Sequence, residues 1–209
     1  MAGRRIRRVG LAAGAGLLAG AVWARKHPSA CPYSARWLLE VPRPNLTVRP
    51  LLVVLAPKPG ERILEVGPGT GYHALPVAAA LAPDGTLDAF DVQQPMLDDL
   101  MRRAAAQGIQ NIVPTQGDAR RLPYEDAMFD GAYLVTVLGE IPDQDAALRE
   151  LIRVLKPQGR LVFGETPPLD PHFVTFGALR SRAEAVGLVF EERRGSPLLG
   201  YLARFRKPS

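Results

Sequence analysis

The feature that most constrains this chain is a glycine-rich turn that follows a short apolar stretch. Residues 63–71 read Ile-Leu-Glu-Val-Gly-Pro-Gly-Thr-Gly, with glycine at alternate positions. The apolar run predicts a buried strand. Glycine at positions 67, 69 and 71 allows positive φ and a close approach of the backbone to a ligand. We predict that a helix follows over residues 72–82, with its first amides facing that ligand.

An acidic residue ends the next apolar stretch. Asp91 lies 20 residues after Gly71, at the end of Thr86–Asp91, and Val92 follows it. A carboxylate in this position can accept hydrogen bonds from both hydroxyls of a ribose. The strand, turn, helix and acidic residue together fit either a dinucleotide or S-adenosylmethionine.

The glycine spacing distinguishes between these two ligands. Dinucleotide sites typically use G-x-G-x-x-G, in which the second glycine lets the backbone approach a pyrophosphate. Here the order is G-x-G-x-G, and Glu65 precedes it. This pattern resembles the first motif of the class I S-adenosylmethionine-dependent methyltransferases, whose ligand has no phosphate.

The resemblance continues along the chain. Residues 116–119, Gln-Gly-Asp-Ala, close a third strand-like stretch, and residues 129–135 predict a fourth strand. A helix is predicted over residues 146–155, and residues 155–163 resemble the family's helix-stop, turn and strand signature. The similarity covers roughly residues 47–206. It is closest to the small-molecule branch that includes quinone and phospholipid methyltransferases.

The resemblance implies a role for each strand-end acid. Glu65 would organise the loop and the amino acid part of S-adenosylmethionine. Asp91 would bind the ribose, and Asp118 the adenine amino group, with the Ala119 amide beside it. Each acid alone could instead be a solvated strand end or a helix cap. Three acids at three successive strand ends favour ligand binding, because ligands bind at the carboxyl ends of strands in α/β sheets.

Composition and element order predict the fold class. The chain has 209 residues, of which 47% are hydrophobic and 22% charged, as expected for one globular domain with an appendage. Alternating strands and helices predict an α/β, Rossmann-like doubly wound sheet of about seven strands. A helix over residues 173–185 and strands over 188–192 and 199–205 follow. With a turn at 195–197, the two strands should form an antiparallel C-terminal hairpin.

Residues 1–26 differ from the rest of the chain. They contain six basic residues and no acid, so the formal total of +5 leaves −1 for residues 27–209. Nucleic-acid binding therefore loses its electrostatic support. Residues 9–24 are uncharged and would span ~24 Å as a helix, against a hydrocarbon core of ~30 Å. We interpret them as a membrane anchor, which adds an N-terminal hydrophobic helix to the predicted fold.

Two other interpretations of the segment stay open, namely a cleaved export signal and an interfacial helix or start-site artefact. Four arginines before the apolar run slightly favour a cytosolic N-terminus, which would place the domain outside the cell. The cofactor argues for the opposite side, because S-adenosylmethionine is made and kept in the cytosol. We give the cofactor more weight and expect a membrane-associated protein with a cytoplasmic catalytic domain.

A proline-rich connector, residues 27–59, precedes the predicted cofactor-binding domain, residues 60–209. In the family that the chain resembles, N-terminal helices close over the cofactor, so Tyr33 or Trp37 is a candidate pocket residue. Cys31 is the only cysteine, which excludes an internal disulfide. The histidines are scattered along the chain, and no metal site is predicted.

Methyl transfer needs alignment of the acceptor above all, and a base only where the acceptor must lose a proton. Glu140, after the fourth strand, is the candidate base or binding group for a cationic acceptor; a helix-entry carboxylate is the alternative.

The short link between the fifth strand and the next helix leaves no room for a covering subdomain. A lipophilic small-molecule or lipid acceptor is therefore a hypothesis. The alternative function is a non-catalytic, membrane-tethered binding protein, and the sequence does not fix the oligomeric state.

Overall fold

The computed structural model describes residues 28–40, 43, 45–167, 170, 172–196 and 198–209. The predicted hydrophobic helix at residues 9–24 lies outside these ranges. Among the helices that are described, none combines the length and the apolar character needed to cross a bilayer.

The described residues form seven strands and five α-helices. The strands are β1 (Arg62–Val66), β2 (Thr86–Asp91), β3 (Ile112–Gln116), β4 (Phe129–Val135), β5 (Leu155–Glu165), β6 (Val189–Ser196) and β7 (Gly200–Arg206). The helices are α1 (Val48–Leu55), α2 (Ala74–Leu81), α3 (Gln94–Ala106), α4 (Gln144–Val154) and α5 (Phe176–Ala185). Two 3₁₀ helices cover Tyr33–Glu40 and Leu138–Glu140.

All seven strands belong to one sheet in the order β3-β2-β1-β4-β5-β7-β6. Strands β1 to β5 pair in parallel, while β7 pairs antiparallel with both β5 and β6. This is the predicted Rossmann-like sheet with its antiparallel terminal hairpin. The strand order reverses between β1 and β4, the position at which open α/β sheets bind ligands.

Two apolar clusters cover the two faces of the sheet. One contains α1, α2 and α3 residues such as Val54, Val77 and Leu100. The other contains α4 and α5 residues such as Leu151 and Leu179. Because both faces are covered, the central strands are buried on both sides, and their polar atoms reach a ligand only at the strand ends.

The fifth strand begins earlier than predicted. The helix expected through Leu155 ends at Val154, and β5 starts at Leu155, which pairs with Phe129. The pairing then shifts, so that Gly131 lies opposite Arg160. Proline and glycine in the intervening residues 157–159 therefore form a bulge within the strand, which is one of the few places where a sheet accepts proline.

The C-terminal elements also have different limits. Helix α5 begins at Phe176 rather than at residue 173, because the Thr175 hydroxyl accepts a hydrogen bond from the Ala178 amide (3.3 Å) and caps the helix. Strand β6 continues to Ser196, which pairs with Gly200. Gly195 and Ser196, which were predicted to lie in the turn, therefore belong to the strand.

Candidate active site

A cavity of about 320 Å³ opens at the carboxyl edge of the sheet, where the strand order reverses. Most of the predicted site residues line it, namely Gly67, Gly69, Asp91, Val92, Asp118, Ala119 and Glu140. Glu65 and Gly71 do not. The parallel topology explains this convergence, because residues that follow β1, β2, β3 and β4 all leave the sheet at the same edge.

The turn after β1 requires glycine for packing as well as for backbone conformation. Gly67 and Gly69 have φ of 73° and 53°. A Cβ at Gly67 would collide with the Val137 side chain, and one at Gly69 would lie 2.7 Å from Leu39 Cδ1. The absence of side chains thus lets Val137 and Leu39 close over the loop, while the loop backbone faces the cavity.

Gly71 has a structural position. Its φ is 97°, and a Cβ there would lie 2.5 Å from Leu100 Cδ1 of α3. Helix α2 starts at Ala74, later than predicted, and the residues between do not line the cavity. The backbone that reaches the cavity is therefore that of Gly67 and Gly69.

Asp91 is held in a fixed orientation by backbone donors. Its side chain accepts hydrogen bonds from the Gly69 amide (3.4 Å) and the Gln93 amide (2.9 Å). Burial raises the pKa of the carboxyl, and these amides partly offset that effect. Since a carboxylate has about four acceptor positions, it retains capacity for hydroxyl donors in the cavity. Val92 follows at the rim with 51% exposure.

Asp118 and Ala119 line the same cavity just after β3, the strand next to β2. Arg120 donates to both oxygens of Asp118, with Nη2 2.6 Å from Oδ2, and this ion pair lowers the pKa of the Asp118 carboxyl. Both side chains are about half exposed. Any ligand that bonds Asp118 therefore shares it with Arg120, a lining residue that the sequence reading did not single out.

Glu65 lies beneath the cavity and outside its lining. It is 2% exposed, and the Tyr133 hydroxyl donates a hydrogen bond to its Oε2 atom (2.7 Å). Burial raises the pKa of the Glu65 carboxyl to about 8. In this position Glu65 joins β1 to β4 directly below the glycine loop.

The segment before α1 covers the cavity. We call residues 28–40 the cap segment. Pro28–Cys31 and Leu39 line the cavity, whereas Tyr33 and Trp37, the predicted pocket candidates, do not. Nothing in the sequence pattern of this proline-rich stretch distinguished the lining residues from their neighbours.

Gln93 and Asp99 hold the cap segment in place. The Gln93 side chain donates to the Cys31 carbonyl (2.9 Å) and accepts from the Tyr33 amide (3.1 Å). The Tyr33 hydroxyl donates to Asp99 Oδ2 (3.0 Å). Because Gln93 follows the Asp91 strand end directly, the cap segment is tied to the same wall that presents Asp91.

Glu140 reaches the cavity from the segment after β4. The Cys31 amide donates to its Oε2 atom (3.3 Å). Burial raises the pKa of the Glu140 carboxyl to about 8, and the negative charges of Asp170 and Asp91 add to this effect. The group is therefore mostly protonated at neutral pH and becomes a proton acceptor as the pH rises through about 8.

A second carboxyl group near Glu140 was not predicted. Glu165 ends β5 and is 1% exposed. Its Oε2 atom accepts from the Val174 amide (3.2 Å), and its Oε1 atom has no hydrogen-bond partner within the described part of the chain. Burial raises its pKa well above the usual range. The strand-end rule that identified Asp91 and Asp118 would also have identified Glu165.

Comparison with known proteins agrees with this geometry. The family model described as "Methyltransferase domain" matches residues 63–159. These residues include the glycine loop, Asp91, Asp118, Ala119 and Glu140. Over residues 63–159 the chain is therefore similar to methyltransferase domains.

Relatives and solved structures extend the comparison. The chain is 36% identical over 121 residues to a demethylmenaquinone methyltransferase of Symbiobacterium thermophilum. The aligned residues cover 57% of this chain and 48% of the relative. The chain thus spans about half the length of the curated relatives that it matches. A structure titled as a SAM-dependent methyltransferase from Aquifex aeolicus superposes with a TM-score of 0.76 at 19% identity, covering 85% of this chain and 99% of that one.

The same fold also occurs with another named activity. A structure titled as the [4+2]-cyclase SpnF superposes on this chain with a TM-score of 0.69 at 23% identity, covering 77% of this chain and 79% of that chain. At these identities the likeness shows the fold alone. The reaction of this chain must therefore be argued from its site.

Proposed function

We propose that the protein transfers a methyl group from S-adenosylmethionine to a small-molecule acceptor. The observation that carries the proposal is a single cavity lined by the glycine loop, Asp91, Asp118 and Glu140. One wall presents rigid backbone and strand-end acids, and the other presents a buried carboxyl group of raised pKa. A cofactor and an acceptor can meet between these walls.

The residues fit S-adenosylmethionine. Asp91 would accept from the ribose hydroxyls, with Val92 beside it. Asp118 and the Ala119 amide would bind the adenine, next to the apolar side chains of Phe90 and Met96. Gly67 and Gly69 would bring the loop backbone against the amino acid part, with Glu65 holding the loop from below.

The bound cofactor supplies a methyl group already activated on a sulfonium, so the chain's main task is to align the acceptor. Thr136, Val137 and Glu140 line the side on which the acceptor would lie. Glu140 would take a proton from a hydroxyl or carbon acid, or bind a cationic acceptor as a carboxylate. Because this carboxyl group is buried, water would be excluded from the proton transfer.

A lipophilic acceptor is the class best supported. The curated relatives are named for demethylmenaquinone, a quinone, and the acceptor side is bounded by apolar residues such as Ile141, Pro142 and Leu39. Residues 1–26 would anchor the protein to the membrane through residues 9–24. Residues 27–59 would connect this anchor to the domain and cover the cavity. The domain at residues 60–209 would face the cytoplasm. The alternative of a non-catalytic binding protein gains no support from the relatives.

The first experiment measures cofactor binding. The full-length chain in detergent is titrated with S-adenosylmethionine, S-adenosylhomocysteine and NADH by calorimetry. We expect micromolar binding of the first two and none of NADH. Asp91→Asn should weaken binding about 100-fold, since it removes charge-assisted hydrogen bonds to the ribose worth ~2.7 kcal/mol. Asp98→Asn, an exposed carboxylate of α3, is the charge-matched control. Binding of NADH alone would overturn the proposal.

The second experiment measures methyl transfer. A demethylated menaquinone in vesicles and a set of polar soluble acceptors are compared with radiolabelled S-adenosylmethionine. We expect transfer to the quinone. Preference for a polar acceptor, unchanged when residues 1–26 are deleted, would contradict the lipophilic acceptor but leave the methyltransferase reaction standing.

A further inference from the structure

Four large apolar side chains are exposed at the carboxyl edge of the sheet, where the cavity also opens. Trp37 and Leu38 in the cap segment are 64% and 42% exposed, and Leu198 and Leu199 in the β6–β7 turn are 80% and 55% exposed. Single exposed apolar residues are common and need no explanation. These four occur as two adjacent pairs, and both pairs project from the carboxyl edge of the sheet.

The strand pairing places the β6–β7 turn at that edge. Tyr201 at the start of β7 pairs with Glu165 at the end of β5, so residues 198–199 lie beyond the carboxyl ends of the parallel strands. The cap segment lies at the same edge, because Leu39 packs over Gly69 of the loop after β1. Asn45, five residues after the cap segment, donates a hydrogen bond from its side chain to the Gly200 carbonyl (3.1 Å).

The chain enters the described structure at this edge as well. Pro28, the first described residue, lines the cavity. Arg25 and Lys26 lie just before it in the sequence, and residues 9–24 form the uncharged apolar run. A membrane segment at 9–24 would therefore hold the cavity mouth within a few residues of the bilayer.

We propose that Trp37, Leu38, Leu198 and Leu199 form a membrane-docking edge that places the cavity mouth on the lipid surface. The proposal rests on the proposed function, since it explains how a lipophilic acceptor reaches Glu140 without crossing water. Trp37 suits the headgroup region, where tryptophan is enriched. Arg36 lies beside it in the sequence, with its side chain 42% exposed and paired with Asp99 (3.3 Å).

A lipid surface fits these residues better than a protein partner does. The two pairs lie at the edge of the sheet where the cavity opens, so a protein covering both would close the acceptor entrance. A bilayer covers both pairs and supplies the acceptor at the same time.

Single-tryptophan variants of the full-length chain test the docking edge. The chain has two tryptophans, so Trp23→Phe leaves Trp37 alone. A second variant moves the probe to the turn as Leu199→Trp with both native tryptophans changed to Phe. The matched control is Val189→Trp in the same background, because Val189 is 43% exposed and begins β6 at the opposite edge of the sheet.

Each variant is bound to vesicles of mixed zwitterionic and anionic phospholipid, with and without brominated lipid as a quencher. We expect a blue shift and quenching for Trp37 and for the tryptophan at position 199, but not for the control at position 189. The proposal would be overturned if both edge probes kept the emission of tryptophan in water in protein that floats with the vesicles. Equal quenching at position 189 would do the same, because it would indicate non-specific adsorption.

Serine variants connect docking to acceptor delivery. We expect Trp37→Ser/Leu38→Ser and Leu198→Ser/Leu199→Ser each to lower turnover of vesicle-embedded demethylmenaquinone about tenfold, equivalent to ~1.4 kcal/mol. Turnover of the same quinone in detergent and affinity for S-adenosylhomocysteine should not change. Val113→Ser/Val189→Ser is the control from the other edge. Unchanged vesicle turnover in both docking variants contradicts the proposal, whereas absent turnover in detergent by the wild type contradicts the proposed function instead.

Discussion

The two walls of the cavity are built in different ways. The wall that we propose for the cofactor, called the cofactor wall, consists of Gly67, Gly69, Asp91 and Ala119, which lie at the carboxyl ends of β1, β2 and β3 or within three residues of them. The acceptor wall joins Glu140 to Cys31, residues 109 positions apart in the sequence. The first wall depends on the strand order of the sheet, and the second depends on how an irregular N-terminal segment packs over it.

The walls also differ in the protonation of their carboxyl groups. Arg120 lowers the pKa of Asp118 on the cofactor wall, so that group is ionised at neutral pH. Burial raises the pKa of Glu140 to about 8 and that of Glu165 well above its usual range on the acceptor side. This contrast fits one wall whose ionised carboxylate binds the cofactor and another wall whose carboxyl group transfers a proton.

Glu140→Gln should produce the largest change. Loss of a general base typically costs 10²–10⁴-fold, so we expect about a 100-fold lower kcat with demethylmenaquinone at pH 9. In the wild type, kcat/KM for S-adenosylmethionine should rise with pH to a plateau above about 8, because Glu140 must lose its proton to act as a base. At saturating cofactor the rise should shift to lower pH, since a nearby sulfonium stabilises the carboxylate.

Exposed Glu184→Gln serves as the matched control for Glu140→Gln and should retain the wild-type profile. A Glu140→Gln enzyme with normal kcat and the same rise with pH would remove Glu140 from proton transfer. A change confined to KM for cationic acceptors would instead favour the role in acceptor binding.

Gly67→Ala tests whether the two walls are coupled. Gly67 and Gly108 have similar φ, 73° and 69°, but a Cβ meets Val137 only at Gly67 and nothing within 4 Å at Gly108. Gly108→Ala should cost about 1 kcal/mol of unfolding free energy from backbone strain alone. Gly67→Ala should cost about 2 kcal/mol more, as expected for overpacking, and should weaken cofactor binding. Urea unfolding of both variants gives the difference, and equal losses would show that Val137 moves aside freely.

Contacts between the two walls, such as that of Gly67 with Val137, could not be predicted from the sequence. Asp91, Asp118 and the glycine loop were predictable because a parallel sheet brings successive strand ends to one edge, whatever the details of packing. The cap-segment residues that line the cavity were not, because Pro28–Cys31 and Leu39 have no helical or strand periodicity to mark the face that they bury. The bulge in β5 was also missed, since Pro157 and Gly159 are equally typical of a turn that separates a helix from a strand.

Glu65→Gln tests the burial of the acid beneath the glycine loop. With a pKa of about 8 in the folded protein and an ordinary value near 4.5 when unfolded, Glu65 holds its proton more tightly in the native state. Stability should therefore fall by up to ~1.4 kcal/mol per pH unit as the pH rises between these values. Glutamine still accepts from Tyr133 but does not titrate, so its unfolding free energy should fall less steeply. Melting curves from pH 5 to 9 measure the slopes, and parallel slopes would show that Glu65 is ionised in the native protein.

Arg120→Met should have the smallest effect and bears on the cofactor wall. In the proposed complex Arg120 would compete with the adenine amino group for Asp118, and its charge would repel a sulfonium ligand, but its exposure to solvent screens both effects. We expect affinity for S-adenosylmethionine to stay the same or to increase by at most about threefold at low salt. The neighbouring Arg121→Met is the control and should be neutral. A tenfold loss of affinity in Arg120→Met alone would mean that Arg120 binds the cofactor directly, and that the cofactor wall, like the acceptor wall, contains a contact that strand order does not predict.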